Sequence, residues 1–283
     1  MSKWIEIGLA TAGVWMTGCS GSTSPEDSPS VAPVAERSAD ADASSSEPGS
    51  EPAARSESRP LAVLVTGFND WKELGDPPNV WRCRDNPSCR LLLGDETADE
   101  PSAFEGPLVQ RLREATREQP VKWTFATLPV TWEIAKQAPR YEDHDVVVHL
   151  GLGVYDRLDT VFVEDGAFNR RNGTDAAGKA LDEAIVAEVG QVLAPPDASI
   201  TERVRALDGK QFSDYRVEVK AARDANSYLC NETHFWALRA VEDSKAAGGR
   251  LRAAYFVHIP YASDGDYESL AAGVAGIVKA LAL

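Results

Sequence analysis

Basic residues are in short supply in this chain. Against 44 Asp and Glu stand 29 Lys and Arg, a formal net charge of −15 over 283 residues. Neutralising phosphates requires clustered Lys and Arg, so a nucleic-acid partner is excluded from the expected ligands. Histidine and cysteine are equally scarce, at four each. The histidines are not spaced with the cysteines as a zinc site requires, and no metal or other cofactor is expected. No apolar run is long and unbroken enough to span a membrane as a helix. There is no internal repeat and no phosphate-cradling glycine motif. Gly151-Leu152-Gly153 is a weak candidate with no helix start behind it.

The first residues do not read as part of a fold. Lys3 precedes a mostly apolar stretch from Ile5 to Val14, interrupted by Glu6, and then Met16-Thr17-Gly18-Cys19. A short apolar region before small residues reads as a secretory signal. With its cysteine it resembles the lipobox of bacterial lipoproteins, which implies a signal over residues 1–19 and Cys19 as the lipidated N-terminus. The membrane partner would be met through that lipid, in the cell envelope, and Ser20 resembles the outer-membrane sorting pattern. The rival reading is an uncleaved anchor or a misplaced start, which leaves the protein cytoplasmic. Residues 20–59 are Ser, Pro, Glu, Asp and Ala with almost no large apolar side chain. Such a segment buries too little surface to offset its ordering entropy and reads as a disordered tether.

Residues 60–283 suit one α/β domain with a full core. Leu61 to Thr66, Val121 to Leu128, Asp145 to Leu150, Tyr215 to Val219 and Ala253 to Ile259 read as strands. The periodicity predicts helices over Pro107 to Glu118, Ala176 to Leu193, Cys230 to Val241 and Asp266 to Leu283, with a short helix or turn from Thr131 to Ala138. Strands alternating with helices indicate a three-layer α/β/α domain. The stretch from Asn69 to Glu105 reads as a long irregular loop following the first strand, where open α/β sheets place their ligand crevice. It holds Cys83 and Cys89, which in an oxidising compartment would close a small disulfide loop. A metal site is the rival reading, without partner ligands nearby.

That leaves Cys230, in Tyr228-Leu229-Cys230-Asn231 at the start of a helix. A thiolate is the reactive form of cysteine, and a helix N-terminus or a neighbouring histidine lowers the thiol pKa enough to supply one. A buried structural thiol is the alternative. His258, in Phe256-Val257-His258-Ile259-Pro260-Tyr261, is a candidate base.

The motifs Thr66-Gly67-Phe68, Leu128-Pro129-Val130, Val163-Glu164-Asp165, Cys230-Asn231 and His258-Ile259-Pro260-Tyr261 fall in one order along the chain. In that order and spacing they resemble the pyroglutamyl peptidase I family of cysteine peptidases. The resemblance covers Leu61 to Leu283 and implies a mixed, twisted sheet. It further implies Cys230 as nucleophile, His258 as general base and Glu164 as the acidic residue that orients it. The expected substrate is a peptide with a blocked N-terminus, held by Phe68, Trp71, Leu152, Tyr228 and Leu229. Leu152 stands where the family has a Gln that hydrogen-bonds the pyroglutamyl amide, and Trp71 where a second Phe is usual. Two alternatives follow: an envelope amidase of changed acyl specificity, or a non-catalytic peptide-binding lipoprotein on the same fold. Family members often form homo-oligomers.

Overall fold

The computed structural model describes residues 59–69, 71–72, 80–81, 83–94, 103–137 and 140–283. The expected signal, Cys19 and, Arg59 apart, the tether lie outside the described residues. The main sheet is built from β1 (Leu61–Phe68), β2 (Val121–Leu128), β3 (Val146–Val154), β4 (Thr160–Asp165), β5 (Gln211–Phe212), β6 (Tyr215–Ala221) and β7 (Ala253–Pro260). Among the described residues its order is β5-β6-β4-β7-β3-β1-β2. Strands β2, β1, β3 and β7 run parallel, β4 is antiparallel to β7, and β6 is parallel to β4. The sheet is therefore mixed, as expected.

The helices are α1 (Pro87–Leu93), α2 (Pro107–Ala115), α3 (Ile134–Gln137), α4 (Ala198–Arg205), α5 (Leu229–Ala246) and α6 (Tyr267–Ala282). Both sheet faces are covered. At the end of β1, Gly67 abuts Ser88 of α1, while Phe68 clusters with Leu229 of α5 on the other side. Double coverage is why β1 and β3 are nearly continuous apolar runs instead of alternating ones. The main core joins Val63, Val65, Val147, Tyr255 and Val257 to Leu108 and Leu112 of α2 and Leu270, Val274 and Ile277 of α6.

Three local departures from expectation have identifiable causes. The stretch 176–193 is not helical, although its Ala, Leu, Glu and Val content favours a helix. The Asp175 side chain accepts from the backbone N–H groups of Ala177 and Lys179, and Gly178 sits at φ +87. That turn returns the chain so that Ala180–Glu183 pairs with Arg171–Thr174 as a two-stranded ribbon. Within the loop expected from Asn69 to Glu105, α1 forms behind Asn86, whose side chain caps the N–H of Ser88, with Pro87 leading the helix. Finally, Cys83 and Cys89 are joined in a disulfide, Cα atoms 5.2 Å apart, which removes the metal alternative for that pair.

One buried carboxylate gathers the three strands that carry the site. Asp145, just ahead of β3, accepts from the Ala62 N–H of β1 and from Arg59 and Arg250, and its own carbonyl accepts from Arg252 ahead of β7. Burial alone would raise its pKa. The Arg250 hydrogen bond, the Ala62 N–H and the Arg250 and Arg59 charges outweigh that and hold it below its usual 3.8. A depressed carboxyl pKa contributes stability that is present above the unfolded value and lost as pH falls through the folded one. Asp145→Asn is expected to lower unfolding stability at neutral pH by about 1–3 kcal/mol, with the deficit narrowing below about pH 4. Urea titrations of both chains across that range check it; a deficit unchanged by pH contradicts it.

Candidate active site

The site lies on the α5 face of the sheet. Alternation along β3 turns His149, Gly151 and Gly153 to that face, and their partners on β7 are Phe256 opposite His149 and His258 opposite Gly151. His258 also pairs with Phe162 of β4, so Glu164, two residues on, shares the face. Cys230 joins them from above, in the first turn of α5.

His258 and Glu164 are in direct contact, Nε2 to Oε1 at 3.1 Å, with side chains only 12% and 7% exposed. Glu164 thus accepts from Nε2, which leaves the lone pair of the neutral ring on Nδ1. Nδ1 is buried and has no hydrogen-bond partner among the described residues. A Cβ added at Gly153 would fall on that atom, and one at Gly151 would lie 2.8 Å from the Cys230 sulfur. The two glycines form a bare strip of backbone beneath the sulfur and the imidazole.

The helix N-terminus does not prevail at Cys230. Burial pushes the thiol up to about 12, and the Glu164 charge pushes the same way, against the residue's own backbone N–H. The resting group is a thiol rather than the thiolate expected from its place on the helix, so a base must take its proton. The remaining histidines are spectators in this respect. His149 is buried between Thr66 Oγ1 at 2.6 Å and the Tyr141 hydroxyl at 3.3 Å. His234 is buried one helical turn after Cys230 and packs on Phe256. Burial, then the charge of His258, lowers its pKa to about 3, so it stays neutral.

A small apolar cluster flanks the sulfur on the β1–β2 side. It contains Phe68, Leu128, Val130, Trp132, Leu229 and Phe256, with Tyr228 and Cys230 packed against it. Phe68, Tyr228 and Leu229 thus lie together beside Cys230. Alternation along β3 puts Leu152 on the opposite face from Gly151 and Gly153, so only its backbone borders the site. Trp71 belongs to a ribbon in which it pairs with Trp81; its side chain lies outside the described residues.

Several residues position the site in ways that the sequence did not signal. Asn231 accepts from Phe168 N–H at 2.7 Å and donates to the carbonyls of Phe168 and Arg170, tying the helix that carries Cys230 to the chain leaving Glu164. Asn86 donates to the carbonyls of Phe68 and Asn69, and Ser88 Oγ accepts from Phe68 N–H. Trp132 is fixed through its backbone N–H to Asp175 and its indole to the Lys179 carbonyl, edge-on to Tyr228 at 5.4 Å. Asn86-Pro87, a capping residue ahead of a helix-starting proline, was the one local signal available for these. Among the described residues, no group of three His, Cys, Asp or Glu is placed to hold a metal ion.

No protein-family model and no curated protein matches this sequence. Among solved structures, the pyroglutamyl peptidase I of Bacillus amyloliquefaciens has a TM-score of 0.50 at 18% identity, covering 78% of this chain and 97% of its own. The pyrrolidone carboxyl peptidase of Thermococcus litoralis gives 0.49 at 21% identity, with 78% and 92% covered. That of Fervidobacterium islandicum gives 0.49 at 20%, with 77% and 95% covered. The chain has the α/β fold of pyroglutamyl peptidase I; at this identity the likeness is one of fold.

The raised thiol pKa sets an expectation for reactivity. Iodoacetamide labelling of Cys230, followed by peptide mass spectrometry, should be slow at pH 7 and keep rising beyond pH 9. A rate already at its plateau at pH 7 contradicts a resting thiol.

Proposed function

We propose that the protein is a cysteine exopeptidase, a divergent relative of pyroglutamyl peptidase I, that hydrolyses the amide bond following a blocked N-terminal residue. The observation that carries this reading is the placement of the Cys230 sulfur and the orphaned His258 Nδ1 over one glycine strip, with Glu164 on Nε2.

The chemistry follows from that geometry. Nδ1 takes the Sγ proton as sulfur attacks the scissile carbonyl, and Glu164 stabilises the imidazolium through Nε2. Negative charge develops on the carbonyl oxygen, where backbone N–H groups in the first turn of α5 can receive it. The imidazolium then protonates the leaving amine as the C–N bond breaks, leaving a thioester on Cys230. Water attacks that thioester, losing its proton to His258, and releases the acid and the thiol. The high resting pKa of Cys230 fits this order, because proton transfer accompanies attack instead of preceding it.

The acyl group would sit in the Phe68, Val130, Trp132, Tyr228 and Leu229 cluster. A second reading, an amidase for another apolar acyl group, is favoured by one observation: the Leu152 side chain cannot supply the amide contact expected at that position. The exported, lipid-anchored location is proposed from Met16 to Cys19, and the Cys83–Cys89 disulfide supports an oxidising compartment.

The test is hydrolysis of a pyroglutamyl fluorogenic amide and a panel of other acyl amides by the full chain. Pyroglutamyl release is expected to vanish in Cys230→Ala and to fall about 10²–10⁴-fold in Glu164→Gln. In Gly153→Ala, whose new methyl displaces the imidazole, a fall of about 10²-fold is expected. Release from another acyl amide alone supports the amidase reading. No release from any substrate would sink both.

A further inference from the structure

The strip that carries the sulfur and the base continues to a third side chain. Gly151 lies under Cys230 and Gly153 under His258, and Tyr155 follows two residues later, just past the end of β3. Tyr261 follows β7 in the same way, three residues after His258. The two rings are neighbours, tilted by 58° with centroids 6.4 Å apart. Tyr155 is 67% exposed, the most exposed large apolar residue among those described. Partial burial, then the charges of Cys230 and Tyr228, nevertheless raise its pKa.

Sheet order gives the lip a direction. Of the apolar cluster that would take the acyl group, Phe68 and Leu128 lie on β1 and β2, on one side of β3, and Phe256 lies on β7. His258 and Glu164 stand on β7 and β4, on the other side. The group that protonates the leaving amine must lie on the leaving side of the sulfur, so the tyrosines that follow β3 and β7 border the outgoing chain. We propose that Tyr155 and Tyr261 form the leaving-group subsite, an aromatic lip that binds the residue after the scissile bond and selects aromatic or large aliphatic side chains there. Aromatic rings are suited to this: they offer a wide apolar contact at little cost in side-chain entropy, and the phenol ends stay wet. The assignment rests on the peptidase reading above and names the second half of its substrate.

Two measurements on the full chain separate this inference from that reading. In the first, kcat/KM is compared for substrates of fixed acyl group whose leaving residue is Phe, Leu or Gly. Phe and Leu should exceed Gly by about 3- to 10-fold, the range of one favourable aromatic contact. Tyr155→Ala should compress that ratio towards one, chiefly through KM, and Tyr155→Phe should restore it. Turnover without a preference, or a Tyr155→Ala loss equal for all three leaving residues, overturns the lip and leaves the peptidase standing. In the second, phenylalanine amide and glycine amide are titrated into Cys230→Ala, read by chemical-shift changes of the Tyr155 and Tyr261 ring signals. Preferential binding of phenylalanine amide without turnover in the first measurement keeps the lip and removes the peptidase. Equal or absent binding, with no turnover, overturns both.

Discussion

Two missing side chains at Gly151 and Gly153 are the constraint on which the site depends. A sheet normally presents a side chain every second residue on each face, and β3 does so at His149. At the next two positions facing α5 it presents backbone only, and the sulfur of Cys230 and the ring of His258 occupy the space. Helix α5 can therefore approach close enough to bring a half-buried thiol and a half-buried imidazole over one strand. The arrangement is stiff, because both groups are fixed from elsewhere. Glu164 holds the imidazole from β4, and Asn231 fastens the first turn of α5 to the chain just beyond Glu164.

Burial works in two directions around that strip. It raises the Cys230 thiol well above its ordinary value and keeps His234 neutral one helical turn further on. In the proposed mechanism the sulfur is thereby quiet until a carbonyl arrives to accept its charge. The acyl side is stiffened by polar contacts at its back: Asp175 and Lys179 hold Trp132, and Asn86 and Ser88 hold Phe68. Those two turns belong to segments of low regularity, one next to the Cys83–Cys89 disulfide and one built on the Asp175 turn.

Much of this was legible in the residues, for physical reasons. The apolar runs of β1, β3 and β7 are long because both sheet faces are covered, and each ends on a site residue. Cys230 stood out because the other cysteines had separate readings, of which the Cys83–Cys89 bridge is present in the fold. What misled was propensity without context. Residues 176–193 have helix-forming composition, but one aspartate side chain and a glycine at positive φ divert them into a ribbon. The meaning of Gly151-Leu152-Gly153 depends on which groups approach from a distant helix and strand. For the same reason Leu152 was expected to touch the acyl group through its side chain, whereas strand alternation turns that side chain away. Asn231, Asn86 and Trp132 act through backbone groups 17 to 63 residues distant in sequence, which no local pattern reveals.

The central claim is that Cys230 becomes acylated by the residue it cleaves off. The direct measurement is an acid quench of the full chain during turnover of a pyroglutamyl ester, chosen so that deacylation is slow relative to acylation, followed by peptide mass spectrometry. The account predicts one acyl adduct, on the peptide containing Cys230 and removable by hydroxylamine as a thioester is. Hydrolysis with no adduct, or an adduct on any other residue, would contradict it.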